Sequence, residues 1–263
     1  MSSHAQLGQA GWIVPDWPLP PRVQAVCTTR QGGVSEGPYA SLNLGAHVGD
    51  APAAVAANRR IFAAAVGARP VFMEQVHGAR VASLSAATRD GVQADACVTR
   101  EAGIACTIMV ADCLPVLLAT ADGRVVGAAH AGWRGLAGSG GQGVLEAACL
   151  ALWAMGGAAA ADTLAWLGPC IGPQAFEVGP EVKAAFEAAD PGCGGLFAAH
   201  GSGKWLANLP GLARRRLQAL GVAGIHGNDG GAAWCTVSGD SRFFSHRRDR
   251  GISGRLAAAI WRA

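Results

Sequence analysis

The sequence predicts a mixed α/β (α+β) fold, with strands dominating early and strands and helices alternating later. Three observations carry this. Short apolar runs rich in Val, Ile and Thr read as buried strands. Longer segments with apolar residues on one face read as helices. Neither a seven-residue nor a G-x-y repeat runs through the 263 residues, which excludes a fibre. Hydrophobic residues make up 51% of the chain and charged residues 15%, so a mostly disordered chain is excluded as well. The length suits one large domain, read as residues 1–263 with its core over residues 23–261.

Taken in order, residues 53–66 read as a helix, with Val55, Phe62 and Val66 near one face. Strand candidates follow at 71–73, 96–99, 104–110, 115–119 and 125–129. A glycine-rich stretch, 132–143, leads into a helix over 144–155. Residues 163–167 form a further strand candidate, and Pro180 opens a helix over 181–189. Residues 209–220 form an amphipathic helix, with Leu209, Leu212 and Leu220 opposite Arg214-Arg215-Arg216. That triplet reads as a solvated helix face. Residues 253–261 read as a closing helix.

The 21 basic and 18 acidic side chains leave a net charge of +3, too small an excess to point to nucleic acid. Charge-free stretches such as 147–161 are interrupted by Gly156-Gly157 and fall short of the roughly 18 apolar residues a membrane span needs. No Lys or Arg precedes Arg22, so no basic-then-apolar signal pattern opens the chain. The expectation is a soluble cytoplasmic protein without nucleic-acid or membrane partners. Its eight cysteines include no C-x-x-C pair, which fits reduced thiols of which one or two are functional.

Two motifs mislead. Gly138-Ser139-Gly140-Gly141-Gln142-Gly143 matches G-x-G-x-x-G, but the preceding strand ends near His130, too early for a dinucleotide turn. Gly201-Ser202-Gly203-Lys204 is followed by Trp205 and lacks the opening glycine of a P-loop, since Ala198 takes its place.

Three residues stand out by context. His77 lies in Gln75-Val76-His77-Gly78, just past a strand. Cys113 lies in Ala111-Asp112-Cys113-Leu114-Pro115, between two strands. His130 ends a strand at His130-Ala131-Gly132-Trp133-Arg134-Gly135. Strand ends followed by turn residues are where α/β proteins place reactive groups. Two His and one Cys make a three-ligand set that suits catalytic zinc. The same residues suit a Cys–His nucleophile and base. Asp112 is a candidate carboxylate for orienting His77 or His130. Cys170 reads as a packed thiol or, less simply, a second functional one.

These strings resemble the YfiH family. So do Leu167-Gly168-Pro169-Cys170-Ile171-Gly172-Pro173, Phe176-Glu177-Val178-Gly179 and Phe243-Phe244-Ser245-His246-Arg247-Arg248-Asp249. Near the start, Thr28-Thr29-Arg30-Gln31-Gly32-Gly33-Val34-Ser35 and Ser41-Leu42-Asn43-Leu44-Gly45 fit too. The family carries the names polyphenol oxidase, laccase-domain protein, peptidoglycan editing factor and purine nucleoside phosphorylase. The resemblance implies a single domain layered α/β/β/α, likened to cysteine hydrolases. It implies a zinc ion held by His77, Cys113 and His130, with copper the less secure alternative. It also implies phosphorolysis of adenosine, inosine and methylthioadenosine, and deamination of adenosine. A copper polyphenol oxidase and a cell-wall precursor hydrolase with Cys113 as nucleophile are the competing activities. The expected partners are small molecules, a purine nucleoside and phosphate, and the chain is expected to be a monomer or weak homodimer.

Substrate residues are placed less directly. The resemblance puts Arg30 and Asn43 near the pocket, although Asn43 also suits an Asx turn. Phosphorolysis needs an anion site, and a glycine-rich turn before a helix exposes backbone N–H groups. The 132–143 turn with Arg134 is that site in one reading and a tight connection in the other; Arg30 and Arg247 are the next anion ligands. His246 stands where the family commonly has Tyr.

Overall fold

The computed structural model describes residues 11–263. The expectations for residues 1–10, including the absence of a signal pattern, lie outside the described residues. Thirteen strands and five α-helices are found among the described residues. The first strand, β1 (Val23–Cys27), precedes helix α1 (Pro52–Val66). Strands β2 (Arg69–Phe72), β3 (Val81–Ser83), β4 (Ala96–Thr99), β5 (Ile104–Val110), β6 (Leu114–Thr120) and β7 (Val126–Ala131) follow. Next come α2 (Trp133–Ala137), α3 (Val144–Gly156) and β8 (Thr163–Leu167). The remainder is β9 (Glu177–Val178), α4 (Pro180–Glu187), β10 (Phe197–His200), β11 (Lys204–Ala207), α5 (Leu209–Ala219), β12 (Gly224–Gly227) and β13 (Leu256–Arg262).

The strands make two large mixed sheets and a small antiparallel one. The six-stranded sheet runs β12-β8-β6-β7-β4-β3, the four-stranded sheet β1-β13-β5-β2, and the small sheet β10-β11-β9. Three apolar cores separate the layers. Phe62 and Val66 of α1 pack on Phe72, Met109 and Trp261, covering the outer face of the four-stranded sheet. Ile108 and Ile260 meet Leu117, Ala128 and Trp166 between the two sheets. Leu145, Ala148, Cys149 and Leu152 of α3 lie with Val116, Leu118 and Ala129 on the outer face of the six-stranded sheet. The layering is α/β/β/α, as the resemblance implied.

One expected element is corrected. Residues 253–261 do not form a helix, because Leu256–Arg262 is a central strand between β1 and β5. Alternate residues of this strand enter different cores: Leu256, Ala258 and Ile260 lie between the sheets, while Ala257, Ala259 and Trp261 face α1. With both faces dry, the polar alternation that marks a strand is lost, and three alanines in a row mimic a helix.

The arginine triplet is also corrected, since it is not a solvated face. Arg216 is buried and donates to Glu146 of α3 at 2.9 Å and to the carbonyl of Gly141 at 3.0 Å. Arg214 donates to the carbonyls of Ile225, Gly227 and Asn228. Only Arg215 makes an outer pair, with Asp190. Glu146 also accepts the Gly143 N–H at 2.8 Å, so one carboxylate starts α3 and ties it to α5. Removing one partner of a buried ion pair strands the other charge. Arg216→Ala is expected to cost about 3 kcal/mol in denaturant melts, against about 1 kcal/mol for Cys149→Ala in the neighbouring core. Equal losses would deny the pair its role.

Candidate metal centre and its pocket

The site forms where the middle strands of the six-stranded sheet end. His130 lies near the end of β7, paired with Pro115 of β6, and Cys113 immediately precedes β6. His77 comes from the loop between β2 and β3. Gln75 pins that loop to β5: its Nε2 donates to the Met109 carbonyl and its Oε1 accepts the Met109 N–H, each at 2.8 Å. The next three amides, of Val76, His77 and Gly78, all donate to the carboxylate of Asp95 at 3.2, 2.8 and 2.8 Å. His77 adopts φ 62°, a left-handed conformation uncommon outside glycine, which the three converging amide bonds hold in place.

The same carboxylate accepts His130 Nδ1 at 2.9 Å, and the Asp95 side chain is fully buried. With Nδ1 engaged, Nε2 is the nitrogen left to act as a ligand. Cys113 Sγ lies 3.7 Å from His77 Nε2, and the two imidazoles stand edge to face with centroids 4.7 Å apart. One ligand atom from each of His77, Cys113 and His130 lies within 4.8 Å of the others, so the group is able to hold a metal ion. Gly132 permits this closeness, because a Cβ there would fall 2.8 Å from His77 Cδ2 and 3.0 Å from Cys113 Sγ.

Burial opposes charge on Cys113 and His130, but each supports the charge of the other. His130 and His77 bring the Cys113 thiol down to about 6. Cys113 and Asp95 raise His130 to about 9. Burial also opposes the Asp95 charge, yet the bonds from His130, Gly78 and His77 hold its carboxyl below the usual range.

The trio lines a cavity of about 260 Å3. Its lining includes the apolar Trp133, Ile171, Phe176, Leu209 and Met109 together with His47 and Arg255. His246 and Arg247 also line it. Asp112 is the one acid among the lining residues, and both of its oxygens are taken. It accepts the Thr236 hydroxyl and the Arg247 N–H, each at 2.6 Å. Asp112 therefore anchors neighbouring loops rather than orienting a histidine; that task falls to Asp95.

Three substrate candidates are not brought to the cavity. Arg134 is exposed, with its guanidinium over the Trp133 ring at 4.4 Å. Arg30 donates to the carbonyls of Ala40 and Asp240. Asn43 is fully buried, and its Oδ1 accepts the N–H groups of Gly45 and Arg255, the former closing an Asx turn. The 132–143 stretch serves close packing: a Cβ on Gly135 would fall 2.6 Å from the Gly78 carbonyl oxygen. Cys170 is buried and accepts from Asn228 Nδ2 at 3.4 Å, a packed thiol outside the lining. Sequence reasoning missed Asp95, His47 and Arg255. Only Asp95 carried a signal, as a lone acid opening the apolar run Ala96-Cys97-Val98.

Comparison with known proteins agrees with the geometry. Residues 24–263 match the family described as multi-copper polyphenol oxidoreductase laccase. A Pseudomonas aeruginosa protein named purine nucleoside phosphorylase is 48% identical over 251 residues, covering 95% of this chain and 98% of that protein. The Escherichia coli protein named purine nucleoside phosphorylase YfiH is 48% identical over 253 residues, covering 95% of this chain and 98% of that one. The crystal structure of a Neisseria meningitidis protein of family DUF152 aligns with a TM-score of 0.88 at 45% identity, covering 95% of this chain and 98% of the other. With the match running almost end to end in both sequence and fold, this chain belongs to the laccase-like YfiH family.

Proposed function

We propose that this chain is a zinc-dependent purine nucleoside phosphorylase working in the pocket of His77, Cys113 and His130. The observation that carries the reading is a His2Cys group lining a cavity whose other residues are both apolar and cationic. Relatives named purine nucleoside phosphorylase support it. One thiolate and two imidazoles suit zinc, and a metal there would supply Lewis acidity where charge develops.

In phosphorolysis a phosphate oxygen bonds to the anomeric carbon as the bond to the purine breaks. The base leaves with the electron pair and takes up a proton, while positive charge builds on the ribose. The residues of this chain divide that work. Trp133 and Phe176 take the flat base, and Ile171 and Leu209 keep water from it. Asp95 holds the His130 ring in one orientation and the His77 loop in one conformation, so the ligand atoms meet without rearrangement. Adenosine, inosine and methylthioadenosine are the expected substrates, with deamination of adenosine in the same pocket.

Elemental analysis of the purified protein is expected to find about one zinc per chain, with activity lost on chelation and restored by zinc. Two or more coppers per chain would favour the oxidase, and activity that survives complete metal removal would favour a Cys113 nucleophile.

Cys113→Ala and His77→Ala are each expected to lose metal and turnover while keeping the fold by circular dichroism. Near-wild-type rates in either variant would remove that residue from the site.

Inosine cleavage is expected to need added phosphate and to yield hypoxanthine and ribose-1-phosphate. Equal hypoxanthine release in phosphate-free buffer would make the reaction a hydrolysis. Mass spectrometry of adenosine reactions reads deamination directly, as inosine.

A further inference from the structure

A half-buried guanidinium in the cavity lining makes no ion pair among the described residues, although Cys113 and Asp112 act on it electrostatically. Arg255 sits just before β13, where Asn43 Oδ1 accepts its N–H at 2.9 Å. Its stem packs so tightly on Gly45 that a Cβ there would meet Arg255 Cγ at 2.7 Å. Nη1 donates to the carbonyls of Ser253 and Gly254 at 2.8 and 3.1 Å. The side chain is therefore fixed at its base, its stem and one of its nitrogens. Nε and Nη2 have no hydrogen-bond partner among the described residues. That pair is one edge of the guanidinium, whose parallel N–H groups match two oxygens of a tetrahedral anion.

His47 lines the same cavity, near enough to feel the Arg255 charge, and makes no hydrogen bond among the described residues. Burial, with Arg255 and Arg59 nearby, holds His47 below its usual value, so it offers a neutral ring N–H. Of the other cationic candidates, Arg30 serves backbone carbonyls and Arg134 is exposed over Trp133, away from the lining. Arg247 also lines the cavity, where its Nη1 donates to the Glu177 carbonyl and its guanidinium lies 5.8 Å from the Phe176 ring centroid. The carboxylate of Asp112 is saturated by Thr236 and Arg247. A ligand anion would bring Nε and Nη2 the hydrogen-bond acceptors they lack.

We propose that Arg255 and His47 form the phosphate subsite of this pocket, binding inorganic phosphate by the free Nε–Nη2 edge and the His47 ring. Asn43 is a positioning residue in this scheme, since it sets the main chain of Arg255 rather than touching ligand. The proposal rests on the phosphorolysis reading, but the two fail separately. A phosphoryl group carried by the substrate would present the same chemistry, so the test includes one.

Binding of inorganic phosphate, of inosine and of inosine 5′-monophosphate to the zinc-loaded protein is measured by calorimetry for wild type, Arg255→Met and His47→Ala. Phosphate affinity is expected to fall at least about tenfold in Arg255→Met and several-fold in His47→Ala, with inosine affinity changed by less than about twofold. His47 makes no hydrogen bond among the described residues, so its variant carries the test should Arg255→Met lose its fold. Phosphate affinity unchanged in the folded variants would overturn the subsite. Inosine 5′-monophosphate binding far more tightly than inosine, and displacing phosphate, would overturn its assignment to the free ion. Phosphate bound through Arg255 by a wild type that forms no ribose-1-phosphate would uphold the subsite and sink the phosphorylase reading instead.

Discussion

The site depends on one buried carboxylate. Asp95 accepts three consecutive loop amides and the Nδ1 of His130. An ionised carboxylate without partners would be costly in a dry sheet, and four donors offset that cost. The energetic requirement of the carboxylate thus becomes a geometric instruction to its donors. The amides curl the His77 loop toward the sheet, and the imidazole bond selects which His130 nitrogen is free. Two histidines from segments far apart in sequence act as one unit because a single group orders both.

Space around that unit is obtained by omission. Gly132 has no Cβ where one would strike both His77 and Cys113, and Gly135 lets α2 sit against the Gly78 carbonyl. Strain marks the same place. His77 and Asp112 both hold positive φ, and each is over-determined by hydrogen bonds, His77 through Asp95 and Asp112 through Thr236 and Arg247. The glycine-rich stretch that resembles an anion cradle in sequence is, in space, a close-packing device.

The family description speaks of several coppers, while one His2Cys group could hold one ion, and no second group of three metal-capable ligands occurs among the described residues. The cavity lining combines apolar side chains, among them Trp133, Ile171, Phe176 and Leu209, with the cationic Arg247 and Arg255.

The sequence by itself picked out the trio His77, Cys113 and His130 that the fold brings together, and most of the regular elements. His77, Cys113 and His130 stand at strand ends beside turn residues, a local arrangement that a linear reading detects, and periodicity locates helices such as α1 and α5. Where burial removes the periodic signal, that reading fails. Strand β13 feeds two cores at once, so its alanine-rich run lost the alternation of a strand and passed for a helix. Arg216 looked solvated because a charge pattern says nothing of the Glu146 that meets it from another helix. His47 and Arg255 were placed in the cavity lining by the tertiary structure alone, and the donors to Asp95 come from the His77 loop and from His130. Hydrogen-bond saturation is a property of such convergence, as with Asn43 and the Arg255 N–H. Which cation is left free to bind is known only after every other donor has found its acceptor.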